Sequence, residues 1–426
     1  MENTKLNSKK SWMVAIVVFI CFFVIETSEQ RVPPVMGIIC SDMGIDVTQA
    51  GWLMSAIGWG SLISALPAAW ILTKLRPKLT MALAVLCPLI AGVIGAIPDS
   101  FAMLMVARAF SGVGIGILGV ISAFIIDEWF TPDKRGLPTA ILISTYPMAC
   151  FFMLNSSPVV ESIAGWHGVW TVGAVLCAIT LVLVLAFLPN ERPYSETYAA
   201  ELAAADEAAK SEKVSVAKLL SCRSLWCVLL AFLAFDITFY GLTSYMPTTL
   251  TEVYGADLAQ ADFAVSLLSA IMIPATWLNG VLLNKVGIKN RKFMPAVGLA
   301  GLAIFCMSAF HAPDLLVATI AVVGAGFFCG FISSSLFTIG PDCIPRPAYL
   351  GIIVALVTAF QNAGIAVGPV TIGMIVDNAG VWSAAGLPCL IVGLTGAACC
   401  LLINNKEAHE LAEKEARELA EMKAQE

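Results

Sequence analysis

The chain has 426 residues, 59% of them apolar and only 13% charged, with a formal net charge of −6. So few charges exclude a water-soluble surface on a protein of this length, and their balance gives no sign of a nucleic-acid partner. The mean hydropathy of +0.86 comes from long unbroken runs, such as Trp12 to Ile25 and Val169 to Pro189, which approach or reach bilayer-spanning length.

At about 20 residues per crossing there is room for roughly twelve helices and no sizeable soluble domain. Apolar runs bounded by charges or turn residues predict an all-α membrane protein with spans at 12–37, 50–72, 79–97, 101–126, 137–160, 168–188, 225–247, 263–283, 293–311, 315–337, 349–374 and 382–403. The first run is too long for a cleaved signal peptide and no small-residue cleavage site follows it, so Met1 is expected to stay on the mature chain. The runs fall into a first six-helix unit over 1–190, a charged, alanine-rich linker over 191–223, a second six-helix unit over 224–404 and a charged tail over 405–426. Linker and tail both read as solvated helix, the tail through Glu410 with Lys414 and Glu413 with Arg417 at helical spacing.

Orientation follows from the basic residues, because loops rich in Lys and Arg stay on the cytoplasmic side. All but two of the 24 basic residues fall on one set of connections, which places both termini inside an inner membrane. The opposite loops carry no Lys or Arg in this reading, but do carry Asp42, Asp46, Asp99, Glu161, Glu252, Asp257, Asp262, Asp314 and Asp377.

An internal repeat appears at an offset of about 211 positions. Gly44-x-Asp46-x-x-Gln49-Ala50 recurs as Gly255-x-Asp257-x-x-Gln260-Ala261, Pro158 maps onto Pro369, and Arg135 onto Arg346. Each Asp-x-x-Gln has the spacing of a capping box at the start of a helix. Two such units, joined by an inner linker, suit a carrier whose halves rock about a central site.

The thirteen cysteines form no CxxC and no Cys/His cluster, and His167, His311 and His409 lie at segment ends or in the tail. The thiols read as small apolar fillers, and neither a metal nor another cofactor is expected. No GxxxxGK[ST] loop is present to hold a nucleotide, so ATP is not the direct energy source. No grouping of nucleophile, base and metal points to an enzyme.

From Trp12 to Ile403 the chain resembles the major facilitator superfamily of secondary transporters. Its signature loop, GxxxDRxGRR, has a counterpart after the eighth span in Gly280-x-x-x-Asn284-Lys285-x-Gly287-x-Lys289. The first-half copy, Ala69-x-x-x-Thr73-Lys74-x-Arg76-Pro77-Lys78, lacks the leading glycine and the acid. The resemblance implies inner-gate contacts at these loops, with hydrogen bonds at Thr73 and Asn284 where a charged pair usually stands. For Lys78 and Lys289, simple obedience to the positive-inside rule is the preferred reading. Arg108-x-x-x-Gly112-x-Gly114-x-Gly116 is similar to the family's RxxxGxGxG motif. Its glycines would let a neighbouring helix approach closely, while Arg108 either ties the fourth span to the first or takes part in coupling. The GxxxGPxxGG pattern of many drug/proton antiporters is missing from the fifth span.

Five charges lie inside spans: Glu26, Glu29 and Arg31 on the first, Arg108 on the fourth and Asp236 on the seventh. Each is costly in lipid and marks a candidate functional position. The resemblance implies that spans one, four, seven and ten line a central cavity. Glu26 and Asp236 stand 210 positions apart, so the repeat would face them across it, and Asp236 lies about 16 Å into its helix. Desolvation disfavours the charged form of such a carboxyl unless Arg31 or Arg108 approaches.

Glu26, Glu29 and Asp236 are therefore the proton-coupling candidates, and Arg31, Arg108, Tyr240 and Asn362 the substrate-binding ones, the arginines suiting a carboxylate group. Arg31 is the weaker of the two, because Pro33-Pro34 directly after it bend or end the helix. The alternative for all the buried charges is an ionic network that locks one conformation. The expected function is proton-coupled uptake of a small organic anion by alternating access, in a protein expected to be monomeric. Proton-driven export of amphipathic compounds is a second reading, and a non-transporting membrane receptor of the same fold a third.

Overall fold

The computed structural model describes residues 8–97, 100–130, 136–189, 216–344, 347–405 and 410. Lys134, Arg135, Arg346, most of the linker and nearly all of the tail lie outside the described residues. So do the side chains of Thr73, Lys74 and Asn284, whose backbone is helical.

Among the described residues the chain is helical and without strands. The helices are α1 Lys9–Glu29, α2 Met36–Met43, α3 Val47–Lys74, α4 Pro77–Gly95, α5 Phe101–Trp129, α6 Gly136–Ile143, α7 Thr145–Phe187, α8 Val216–Ser221, α9 Arg223–Tyr254, α10 Leu258–Lys285, α11 Phe293–Phe310, α12 Leu315–Cys329, α13 Ser333–Asp342, α14 Pro347–Ala379 and α15 Gly386–Leu401. Ten described segments are long and apolar enough to cross a membrane. One of them, α7, is divided at Gly165, whose φ of 65° and ψ of −180° belong to a region open essentially to glycine alone. Helix α3 adds a further 28-residue helix, so the segments are consistent with the twelve crossings expected.

The repeated motif is punctuation with a physical cause. Gly44 and Gly255 end α2 and α9 in the left-handed conformation, at φ 63° and 64°, where a Cβ would be strained. Asp46 Oδ1 accepts from Gln49 N at 2.6 Å while Gln49 Oε1 accepts from Asp46 N at 3.1 Å, a closed capping box before α3. Asp257 Oδ1 accepts from Gln260 N at 2.7 Å and caps α10. The alanines that close the motif, Ala50 and Ala261, are buried.

Several helices depart from the expected spans. The first breaks after Glu29 into a 3-10 turn at Pro33–Val35 before α2 resumes, as the paired prolines dictate. Helix α10 starts at Leu258 rather than 263, because its cap is Asp257. Asp262, expected in a polar loop, is consequently inside the helix and fully buried. Asp377 likewise belongs to the last turn of α14.

Packing sorts the helices into two bundles that meet along two seams, α3 against α14 and the first part of α7 against α10. The glycines of the RxxxGxGxG motif work as expected. A Cβ on Gly112 would lie 2.3 Å from the carbonyl of Ile57, one on Gly116 2.1 Å from Ser64 Oγ, and one on Gly114 2.6 Å from Pro88. Helix α5 is therefore drawn tightly onto both α3 and α4.

At the rim carrying the acidic loops, each bundle holds an indole to a carboxylate. Trp166 Nε1 donates to Asp42 at 2.9 Å, and Trp382 Nε1 donates to Glu252 at 2.8 Å. The α3/α14 seam is closed at the same end by contacts between the bundles. Asp377 accepts from Val47 N at 3.2 Å and from Thr48 N at 2.6 Å, as well as from the Thr48 hydroxyl, and so caps α3 from the other half of the molecule. Val370 N donates to Ser55 Oγ at 3.3 Å. Gly58 faces Ala366 so closely that a Cβ would stand 2.5 Å from its nitrogen.

Candidate functional site

Where α1, α7 and α9 converge, the unbroken apolar packing gives way to a cluster of polar side chains. Glu29 is 5% exposed, and its Oε1 accepts from the hydroxyl of Tyr240 at 2.6 Å. The ring of Tyr240 lies 6.5 Å from that of Tyr146, whose hydroxyl accepts from Gln30 Nε2 at 3.3 Å. Glu26, one turn back along α1, is beside Thr145 and has one oxygen enclosed without a partner. Asp236, one turn before Tyr240 on α9, is 1% exposed, and its Oδ2 also lacks a partner. The carboxyl within electrostatic range of Asp236 is Glu29 rather than Glu26.

The local sequence explains why these groups meet. Glu26, Glu29 and Gln30 share a face of α1 by helical spacing, and Asp236 and Tyr240 share one of α9. Gly364 allows α14 to close on that face of α9, since a Cβ there would meet Asp236 Cβ at 2.7 Å. Tyr146 and Thr145 begin α7. Gln30 and Tyr146 were not expected in the site from the sequence. The signal for Gln30 is its position directly after Glu29, and Tyr146 has none.

Both arginines are buried but turned elsewhere. Arg108 donates from Nε to Leu53 O at 2.9 Å and from one terminal nitrogen to Ser28 O at 3.1 Å and Glu29 O at 2.9 Å. It thus binds α5 to α1 and α3 through carbonyls, while its charge acts on the Glu29 carboxyl. Arg31 is directed between the first bundle's own helices, where it meets Pro88 O at 3.4 Å, Cys177 Sγ at 3.6 Å and the ring of Trp170 at 5.7 Å. Gly173 makes room for it, since a Cβ there would lie 2.5 Å from the guanidinium. Asn362 is 7% exposed and donates to Thr358 O at 3.0 Å on its own helix.

At the basic end, Lys285 and Lys289 are exposed and Lys78 is half-buried. The ion pair of that loop lies just beyond the signature motif, between Arg291 and Asp342 at 3.3 Å. Lys292 donates to Leu401 O at 3.1 Å and Ile403 O at 2.9 Å and so holds the end of α15.

The site is thus a set of three carboxyls, two phenols and an amide at the meeting of the two bundles, backed by one guanidinium that is solvated by backbone. It can exchange protons and can offer hydroxyl and amide hydrogen bonds to a solute. Among the described residues, no group of His, Cys, Asp and Glu has the geometry to hold a metal ion.

The profile of the Major Facilitator Superfamily matches residues 18–353. The probable galactarate/D-glucarate transporter GudP of Bacillus subtilis (strain 168) is 23% identical over 405 residues, covering 88% of this chain and 89% of that protein. The probable sulfoacetate transporter SauU of Cupriavidus necator is 24% identical over 418 residues, covering 94% and 95%. Among solved structures, a D-xylose-proton symporter superposes with a TM-score of 0.76 at 14% identity, covering 92% of this chain and 97% of that one. A bacterial homologue of the human lysosomal transporter Spinster, inward-facing and unoccupied, gives a TM-score of 0.71 at 15% identity, covering 95% and 97%.

Proposed function

The protein belongs to the Major Facilitator Superfamily and is an integral membrane transporter, and from that premise we propose that it takes up a small organic anion together with protons. The observation that carries the reading is the bond from Tyr240 to Glu29 between the two bundles, with the unpartnered carboxyl of Asp236 beside it. Three carboxyls gathered in one cluster, two of them buried, resist being ionised together. While they are charged they repel an anion. Once protonated they no longer repel it, and Gln30, Tyr146 and Tyr240 can exchange their present partners for the anion, in the positive field of Arg108 behind Glu29. Substrate and proton then enter together by electrostatic necessity. The two relatives named for carrying a sugar diacid and a sulfonated acid support an organic anion as the solute.

In this reading, residues 1–190 and 224–404 are the rocking units, 191–223 the connection and 405–426 the tail. The basic loops lie inside the cell and the acidic rim outside. The bonds of Asp377 and the packing of Gly58 hold the α3/α14 seam shut toward the acidic rim, and these are the contacts that would have to part for solute to enter from outside.

The test is uptake of radiolabelled D-glucarate and of sulfoacetate into proteoliposomes with an imposed proton gradient, acidic outside. Accumulation that a protonophore abolishes is the expected result. Accumulation indifferent to the protonophore would remove the proton from the mechanism, and binding of lipophilic cations in preference to both acids would favour export of amphipathic compounds.

A further inference from the structure

Asp262 is the one fully buried carboxylate outside the central cluster for which neither oxygen has a hydrogen-bond partner among the described residues. Its place in the fold is defined from both sides. Toward the acidic rim, Leu258 lies one turn away on the same face of α10 and lines an open vestibule of about 660 Å³ with Pro34, Thr248 and Thr251. Asp262 is therefore only about 6 Å along the helix axis below that floor. Toward the membrane interior, the same face continues through Ser266 and Ser269, at 0% and 4% exposure. Ser269 lies against Cys150 of α7, which stands one turn from Tyr146 of the central site.

The repeat supports the same placement. The position equivalent to Asp262 in the first half is Gly51, which packs across the other seam against Pro369 and Val370. Where one seam is closed by a glycine, the second contains a carboxyl group.

No cation reaches it. The titratable groups on the elements packed against α10 are Tyr146, Cys150, Glu161, His167 and Cys177 on α7, Arg223, Cys227, Asp236, Tyr240, Tyr245, Glu252 and Tyr254 on α9, Cys329 on α12 and Asp342 on α13. Of these only His167 and Arg223 are bases: His167 is stacked on Trp166 beyond the break at Gly165, Arg223 opens α9 at the basic end of the molecule, and neither acts on Asp262. The 3-10 turn Pro33–Val35 contributes none, and Arg31 just before it is turned toward Trp170. An ionised carboxylate without partners in such a seam is strongly unfavourable, whereas the neutral acid is not.

We propose that Asp262 is a second proton-binding site, interposed between the outer vestibule and the central carboxyls, which takes up a proton from outside water when the α7/α10 seam opens and keeps it when the seam closes. The transfer inward along Ser266, Ser269 and Cys150 rests on the proton-coupled reading above, but occupancy of the site does not.

Infrared difference spectroscopy of the full-length protein in lipid, at neutral pH, tests occupancy without any transport. The wild type is expected to show a C=O band of a buried protonated carboxyl that Asp262→Asn abolishes and Asp262→Glu shifts. A spectrum unchanged in both variants overturns the site, as does loss of the wild-type band when sodium replaces potassium at fixed pH, which marks a metal-ion site instead. If Asp262→Asn does not fold, the shift in Asp262→Glu decides alone.

The inward transfer is read separately. Proton-driven uptake in Asp262→Asn should slow about tenfold with substrate counterflow unchanged. Equal slowing of both processes removes the transfer step. A wild type without proton-driven uptake defeats the transport reading and leaves the band to decide the site.

Discussion

The hydroxyl of Tyr240 donates to Glu29 Oε1 at 2.6 Å, and the two residues are 211 positions apart, the offset at which the helix-punctuating motif recurs. They are equivalent positions of the two halves, bonded to each other near the pseudo-twofold axis. Tyr240→Phe removes the donor and leaves the carboxyl oxygen enclosed without a partner, a change of about 1–3 kcal/mol. Gradient-driven accumulation of D-glucarate should fall about tenfold or more, while the protein still elutes as a single folded species from size-exclusion chromatography.

Asp236→Asn keeps the volume and removes the proton. On the proposed coupling, wild-type uptake should rise as the outer pH is lowered, because the proton would be a co-substrate. In the variant the dependence on outer pH should flatten, while counterflow of labelled against unlabelled substrate persists. A pH profile with the wild-type slope would exclude Asp236 as a carrier of the coupling proton.

Arg108 spends its guanidinium on the carbonyls of Leu53, Ser28 and Glu29. Lysine cannot span three acceptors on two helices. Arg108→Lys should lower the melting temperature, by the equivalent of about 1.5–3 kcal/mol for each charged hydrogen bond lost. If stability holds and only the affinity for D-glucarate collapses, Arg108 is a ligand group and not a tie.

The bond from Asp377 to the start of α3 should control the closed rim. Removal of a helix cap costs about 1 kcal/mol, so Asp377→Ala should shift the balance toward the rim-open state about fivefold. Gly58→Leu, which cannot fit against Ala366, should shift it further. Maleimide labelling of Cys40, kept as the only cysteine, reads both, since Cys40 lies at the acidic rim beside Glu252, Asp377 and Asp46. Faster labelling is expected in each variant.

Much of this molecule is legible in the sequence, for identifiable reasons. The apolar runs, the repeat and the glycine spacing each report one physical demand on the chain, and the fold satisfies all three. Glu29, Asp236 and Tyr240 could be singled out because charge and helical spacing within a span are rare and visible. The direction of Arg31 was not visible, because it depends on the gap over Gly173 more than a hundred residues away. Asp262 was misplaced because an acid near a helix start resembles a loop residue, and only its total burial shows otherwise. The capping of α3 by Asp377 joins residues 329 positions apart, and no local pattern encodes such a pairing.

The two indole bonds at the acidic rim, Trp166 to Asp42 and Trp382 to Glu252, each begin and end within a single half. Neither therefore has to rupture when the entrance parts. On the proposed motion each half would travel as a braced shell, with the contacts that break confined to the groups that reach between the bundles across the two seams, so substitutions that slacken the brace should blur the motion without biasing which side is open.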